Sequence, residues 1–388
     1  MARSRALPFS FAVKNLTRSP VRTLATVVAT ACVAGLLAVT AAFVDSLDRG
    51  FTRPARDDVG VLLSIAAEGD VVRSSLAAGI DAFVAADVAG LATVNEVPAV
   101  SPELHVGIAV GLDGRPAQAY VRGVSDRAFL VHDAVTLVSG RPARSGEAIV
   151  GRLAAARLGV PASALAAGTI LDVEGMSFCV VGEFAAGGSA LEGEIWLPLH
   201  ELRTALRRDD VSAVFVRMRS DADFAALELF ARRRLDLESE AMRSSEFFER
   251  LARTYAPIGW MARVLASLVA LAALVCGINV LSAAIAQRSG EIAVLRAIGY
   301  GPIAIAGGLA LEAALVAGAG AALGLLLADV ALAGQSIRVA MTAIELESSA
   351  RSSAIALCAT FALALGALIP AAYGSLTVPL ATRLRGDG

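Results

Sequence analysis

Residues 287–301, QRSGEIAVLRAIGYG, lie between two long apolar runs and place Arg288, Glu291 and Arg296 beside Ile292, Leu295 and Ile298. On a helix the three apolar residues fall near one face at spacings of three. The charged residues take other positions, and Gly299 stands where a left-handed cap closes the C-terminus. A basic turn alone explains Arg288 but not an amphipathic helix of mixed charge, which suits docking into a groove on another protein. A second chemical candidate is Glu312, deep in an apolar run. A rise of about 1.5 Å per residue from Ile303 puts it roughly 14 Å into a bilayer core about 30 Å thick. A carboxylate at that depth needs a partner or a proton. Asn279, on the preceding antiparallel run at roughly 10 Å depth, is the expected hydrogen-bond partner.

Catalytic constellations are absent from the sequence. Lys14 is the only lysine and no G-x-x-x-x-G-K-[ST] occurs, so no phosphate-cradling loop of that kind exists and the chain is not expected to be an ATPase. His105, His132 and His200 are far apart in sequence, without HExxH, and read as satisfied surface or core histidines. Cys32, Cys179, Cys276 and Cys358 build neither a disulfide framework nor a zinc site. Ser189 in GEFAAGGSALEGE lacks G-x-S-x-G and a nearby base, so the Gly187-Gly188 stretch reads as a flexible loop able to touch a substrate or partner. No catalytic, cofactor or metal site is expected.

The elements that hold these residues follow from composition. Of 388 residues 56% are hydrophobic and 18% charged, with a net charge of −2 and a mean hydropathy of +0.66. That points to a membrane protein and against a nucleic-acid partner. Runs long enough to span predict transmembrane helices at 24–44, 256–286, 302–328 and 352–373. Gly318, Gly320 and Gly324 in the third offer small residues for close helix packing, Gly320 and Gly324 at a spacing of four. The first run is longer than a signal-peptide core and reads as an uncleaved anchor. Arg and Lys gather at 3, 5, 14, 18 and 22, at 288 and 296, and at 383 and 385, which places both termini (1–23 and 374–388) and the 287–301 connector in the cytoplasm. The 45–255 segment and the 329–351 loop are then extracytoplasmic. The larger segment reads as an α+β domain. Hairpins are expected around Asp113-Gly114 and Glu174-Gly175, strands at EIWLPL and VSAVFVRMR, an Asp-capped helix in DADFAALELFARRR, and a stalk helix from Ser244 to about Tyr255. The predicted fold class is thus four transmembrane helices with a large α+β extracytoplasmic domain inserted between helices 1 and 2, itself of a size to hold two subdomains.

EIAVLRAIGYG, followed by the Gly-rich GGLALEAALVAGAGAALG with its early Glu, resembles the FtsX-like domain of ABC transporter permeases of the MacB and LolC/LolE type. FAVKNLTRSPVRTL is similar to that family's N-terminal segment, and SGRPARSGEAIVGRLAAARLGV, VVGEF and EIWLPL resemble its extracytoplasmic core domain. The resemblance implies homo- or heterodimeric permeases of the bacterial inner membrane, each half bound to a separate ABC ATPase whose hydrolysis moves the outer domain. It makes Arg288, Glu291, Ile292, Leu295, Arg296, Ile298 and Gly299 the ATPase-coupling residues, and the family's early Glu in the Gly-rich helix favours a structural packing role for Glu312 as an intramembrane polar residue, with Asn279 its partner by depth. The expected activity is export or extraction of an amphiphile such as a lipid, lipoprotein, peptide or drug, with a periplasmic adaptor as a further partner. The alternative is a non-transporting regulator of an extracytoplasmic enzyme such as a cell-wall hydrolase.

Overall fold

The computed structural model describes residues 9–112, 114–339 and 342–376, so the basic positions 3, 5, 383 and 385 and the turn residue Asp113 lie outside the described residues. The chain divides into two compact units. One holds the chain up to Asp45, Ile258–Ala333 and the chain from Glu347; the other holds Ser46–Pro257 and Gly334–Leu346.

The first unit is built on four helices long and apolar enough to cross a membrane: Pro20–Thr52, Ser244–Gln287, Pro302–Leu332 and Ala350–Leu376. Each runs beyond the span expected from the sequence. Hydropathy marks only the apolar stretch, whereas helical hydrogen bonding continues into polar flanks. The second long helix therefore fuses the expected stalk with the expected span into 44 continuous residues, with Pro257 inside. A short N-terminal helix, Phe9–Arg18, precedes the first, and a connector helix, Ser289–Ala297, joins the second to the third. The third long helix packs on the first through small residues. A Cβ added at Gly324 would stand 2.4 Å from the Ala31 carbonyl oxygen and 2.8 Å from the Gly35 nitrogen, and one at Gly320 2.6 Å from Thr30 Cβ. Gly318 has more room, its nearest neighbour being Phe361 at 3.6 Å.

The second unit is organised by a ten-stranded mixed sheet. Its strands are β1 (Val59–Ser64), β2 (Val100–Leu112), β3 (Arg115–Val124), β4 (Thr136–Gly140), β5 (Glu147–Gly151), β6 (Ile170–Val173), β7 (Met176–Ala185), β8 (Glu194–Pro198), β9 (Ala213–Arg217) and β10 (Ser239–Arg243). They lie in the order β10-β1-β9-β2-β3-β8-β5-β7-β4, with β6 pairing β7 and β2. β2 and β3 pair antiparallel with Leu112 opposite Arg115, and a two-residue turn makes the hairpin β6/β7, with Val173 opposite Met176. In that turn, Glu174 and Gly175 both take positive φ, 52° and 82°, as the turn geometry demands. The long β2 serves two lobes. Val100–Glu103 pairs with β9, and from Leu104 onward the strand pairs with β3. One lobe packs Val61, Leu62, Val214 and Phe215; the other packs Leu104, Val121, Phe178, Ile195 and Trp196.

Two local expectations are corrected. The Asp that opens DADFAALELFARRR, Asp221, is not a helix cap: it begins a 3-10 turn, Asp221–Asp223, and the helix Phe224–Arg233 follows with no side-chain cap at Asp223, whose carboxylate accepts from the Ser220 hydroxyl. The 329–351 segment is more than a loop: Ser336–Val339 and Thr342–Glu345 pair as a hairpin within the second unit.

Candidate functional site

The connector helix is held at both ends by different means. At its C-terminus Gly299, with φ of 102°, lets its own N–H reach the Arg296 carbonyl while the Tyr300 N–H reaches Leu295, the paired bonds of a Schellman cap. Three residues beyond Gly299, Pro302 opens the third long helix at its first position, where a missing N–H is harmless. At its N-terminus charge does the work. Arg288 Nη1 donates to Glu312 Oε2 at 2.7 Å, and Arg18 of the N-terminal helix donates to Glu291 at 2.5 Å.

Glu312 is the centre of this arrangement, and its partner differs from the one the sequence suggested. Its other oxygen, Oε1, accepts from Asn15 Nδ2 at 2.6 Å, while Asn279 is exposed on the second long helix. The physical reason is tertiary packing: the N-terminal helix lies against the third long helix and brings Asn15 to Glu312, and the start of the connector brings Arg288 there, contacts that depth counted along two antiparallel runs does not register. The side chains of Arg288 and Glu312 are 17% and 12% exposed, so the pair is largely removed from solvent.

The apolar residues of the connector split into two groups. Ile292 is buried and Leu295 half-buried, both packed on Ile285, Ile305 and Leu368 of the chain's own bundle. Ile298 is 70% exposed and Val294 58% exposed. The expected single face of Ile292, Leu295 and Ile298 is therefore corrected: two of the three residues fasten the helix inward, because a nine-residue helix between two packed helices must cover its own root. The outward apolar pair is Val294 and Ile298, with half-buried Arg296 between them. Val294 was missed, though it lies four residues before Ile298. Asn15 and Arg18 were missed because their partners are 297 and 273 residues away.

In the second unit the Gly187-Gly188 stretch is pinned rather than loose. Glu192 is fully buried and accepts from the Ala186 N–H at 2.7 Å and the Gly188 N–H at 2.9 Å, while Arg152 donates to its other oxygen. Ser189 is buried, and its hydroxyl has no hydrogen-bond partner among the described residues. His200 is exposed, but His105 and His132 meet on one carboxylate, Glu103. Among the described residues no group of His, Cys, Asp and Glu forms a metal site.

A bundle of long apolar helices joined to a mixed-sheet domain, with a charge-clamped connector, has the anatomy of a membrane permease with an external domain. Sequence comparison agrees. The MacB-like periplasmic core domain matches residues 23–229 and the FtsX-like permease C-terminal domain matches residues 263–378. The chain belongs to the FtsX/MacB-type family of ABC transporter permeases. Solved structures similar to it include the periplasmic region of MacB from Actinobacillus actinomycetemcomitans, 12% identical with a TM-score of 0.39, covering 51% of this chain and 94% of that one. Another is the extracellular domain of the noncanonic ABC-type transporter YknZ from Gram-positive bacteria, 16% identical with a TM-score of 0.36, covering 48% of this chain and 100% of that one. No curated protein matches the chain.

Proposed function

We propose that this chain is the membrane-spanning permease subunit of an ABC transporter, with both termini and the connector in the cytoplasm and the second unit outside. A separate ATPase docks on the connector helix and drives motion of the external domain, for export or extraction of an amphiphilic substrate such as a lipid, lipoprotein, peptide or drug. The observation that carries this reading is the exposed pair Val294 and Ile298 on a helix whose Ile292 and Leu295 are turned inward and whose Arg288 and Glu291 are tied to other helices. Two apolar knobs on a clamped helix suit a groove in a partner protein. A homo- or heterodimer of permease chains belongs to the same proposal. The second long helix, with 0% of its apolar window buried, is the face it would use.

The test is Val294→Asp and Ile298→Asp in the full-length chain. Burying an unpaired charge costs about 3 kcal/mol or more, at least a hundredfold in affinity. Both variants should insert normally and lose co-purification of the ATPase. Undiminished co-purification and transport by both would overturn the assignment.

A further inference from the structure

The lobes of the external domain change over at one residue of β2: Glu103 is the last to pair with β9, and Leu104 the first to pair with β3. At that point a buried ionic cluster fills the joint. Glu103 Oε1 accepts from the Ser101 hydroxyl at 3.0 Å and from His132 Nε2 at 2.7 Å; Oε2 meets His105 Nε2 at 3.1 Å and Arg122 Nη1 at 2.9 Å. Arg122 reaches on to Glu194 at 2.6 Å, and Trp196 Nε1 donates to the remaining oxygen of Glu194 at 2.7 Å. The His132 ring stands 4.9 Å from Phe215 of one lobe and 6.1 Å from Trp196 of the other.

We propose that His132 is a proton-operated fastener between the two lobes: when its Nδ1 takes up a proton, the imidazolium neutralises the buried cluster and tightens the joint, and loss of that proton loosens it. The charge count motivates the direction. With both imidazoles neutral, two carboxylates face one guanidinium and the buried cluster sums to −1; one imidazolium brings it to zero. An uncompensated buried charge is destabilising, so the protonated joint is the firmer one.

The other groups of the cluster are poorly placed to take that proton. Burial pushes the Glu103 carboxyl up, but His132, Arg122 and the hydrogen bonds from both histidines outweigh this and hold it well below the usual carboxylate range. Both oxygens of Glu194 already accept donors, although burial raises it against the pull of Arg122. His105 has Nε2 on Glu103 and Nδ1 on the Tyr120 hydroxyl at 3.0 Å, and burial followed by the charge of Arg122 lowers it to about 4. Burial also raises the Tyr120 phenol, so it stays neutral. Beyond the cluster, Asp133 pairs with Arg56 and with Arg217 of β9 at 3.3 Å, and Asp58 takes both of those guanidinium groups as well. Nδ1 of His132, with no hydrogen-bond partner among the described residues and a side chain 9% exposed, is the vacant site with a path to water.

The chain has two tryptophans, Trp196 and Trp260, so Trp260→Phe in the full-length protein leaves Trp196 at the joint as the only indole. Its fluorescence is followed in detergent between about pH 5 and 8, the range in which imidazoles titrate. A single step is expected, with stronger quenching on the acid side because an imidazolium accepts an electron from excited indole more readily than a neutral ring does. The step should vanish in His132→Gln and survive in His200→Gln, and the parent should melt higher at acid pH by a margin that His132→Gln abolishes. Flat Trp196 emission in the Trp260→Phe parent overturns the proposal whether or not His132→Gln folds. So does a step that persists in His132→Gln or disappears in His200→Gln.

Discussion

If the connector is held by Arg288 and Glu312 acting as a pair, removing both charges must be less harmful than the two single losses added together. Glu312→Gln keeps an acceptor for Asn15 but leaves the guanidinium of Arg288 without a counter-charge, in a site where the two side chains are 17% and 12% exposed. Breaking a fully buried pair from one side costs about 3 to 5 kcal/mol, and the residual exposure here brings the expectation down to about 2 to 3 kcal/mol. Arg288→Gln strands the carboxylate and costs a similar amount, softened by the Asn15 amide that still donates to it at 2.6 Å. In Arg288→Gln/Glu312→Gln a neutral amide pair replaces the ion pair, and the double variant should be more stable than the sum of the single losses by at least about 1 kcal/mol, well outside the roughly 0.5 kcal/mol scatter of independent sites. The assay is unfolding of the detergent-solubilised chain in mixed micelles titrated with SDS, followed by circular dichroism, for all four forms of the cycle. Additive losses would show that the pair carries no coupling and that the connector is held by apolar packing alone.

Three further outcomes follow from contacts elsewhere. Gly324→Leu should disrupt the bundle by at least about 3 kcal/mol through overpacking, since its Cβ meets backbone at 2.4 Å, while Gly318→Ala should be near neutral in the same unfolding assay. Glu192→Ala leaves the buried Ala186 N–H and the Gly188 N–H without an acceptor and should cost about 2 kcal/mol, read as faster proteolytic nicking at 186–189. The hydrogen bond from Arg208, reinforced by its charge, lowers the Asp210 carboxyl to about 2. A depressed carboxyl stabilises the fold above its unfolded value, near 3.9, and loses that contribution as pH falls through its folded value. The stability gap between the parent and Arg208→Gln should therefore narrow as pH drops from about 4 to about 2, and a gap independent of pH would rule the contribution out.

What the sequence made legible was whatever has a local physical cause. The four apolar runs announce themselves because a membrane span must satisfy its backbone internally over about 20 residues. The turn at Glu174-Gly175 is announced by the positive φ it needs. Gly299 is readable for the same reason: no other residue closes the connector helix so easily. Glu312 was conspicuous, but its partners were not. Depth counted along two antiparallel runs can pair only those runs, whereas Asn15 and Arg288 reach Glu312 from the N-terminal helix and the connector. The histidine cluster was half readable. Glu103 and His105 sit two apart on one strand and so share a face, whereas His132 arrives from a different element and leaves no trace in spacing. Glu192 was hidden because a buried carboxylate bonded to loop amides looks, in sequence, like any surface glutamate.

On the proposed reading, in which an ATPase docks on the connector, its two clamps would separate binding from transmission. Val294 and Ile298 lie in its C-terminal half and on its exposed surface, whereas the ties through Arg288 and Glu291 lie at its N-terminal end and run to different helices. A force applied to the exposed half is therefore resisted at the far end by the third long helix, through Glu312, and by the N-terminal helix, through Arg18, with Asn15 joining those two helices to each other. Because the ties are polar and short, displacement of the connector must either carry both helices with it or break an ion pair largely withdrawn from water. Glu312→Leu removes the tie without touching the docking pair. The expected phenotype is a permease that still retains its ATPase on purification but no longer couples hydrolysis to transport. Val294→Asp should show the opposite defect, an intact bundle without a bound ATPase. If Glu312→Leu instead lost the ATPase while the bundle stayed folded, Glu312 would belong to the docking surface and the division of labour along this nine-residue helix would be refuted.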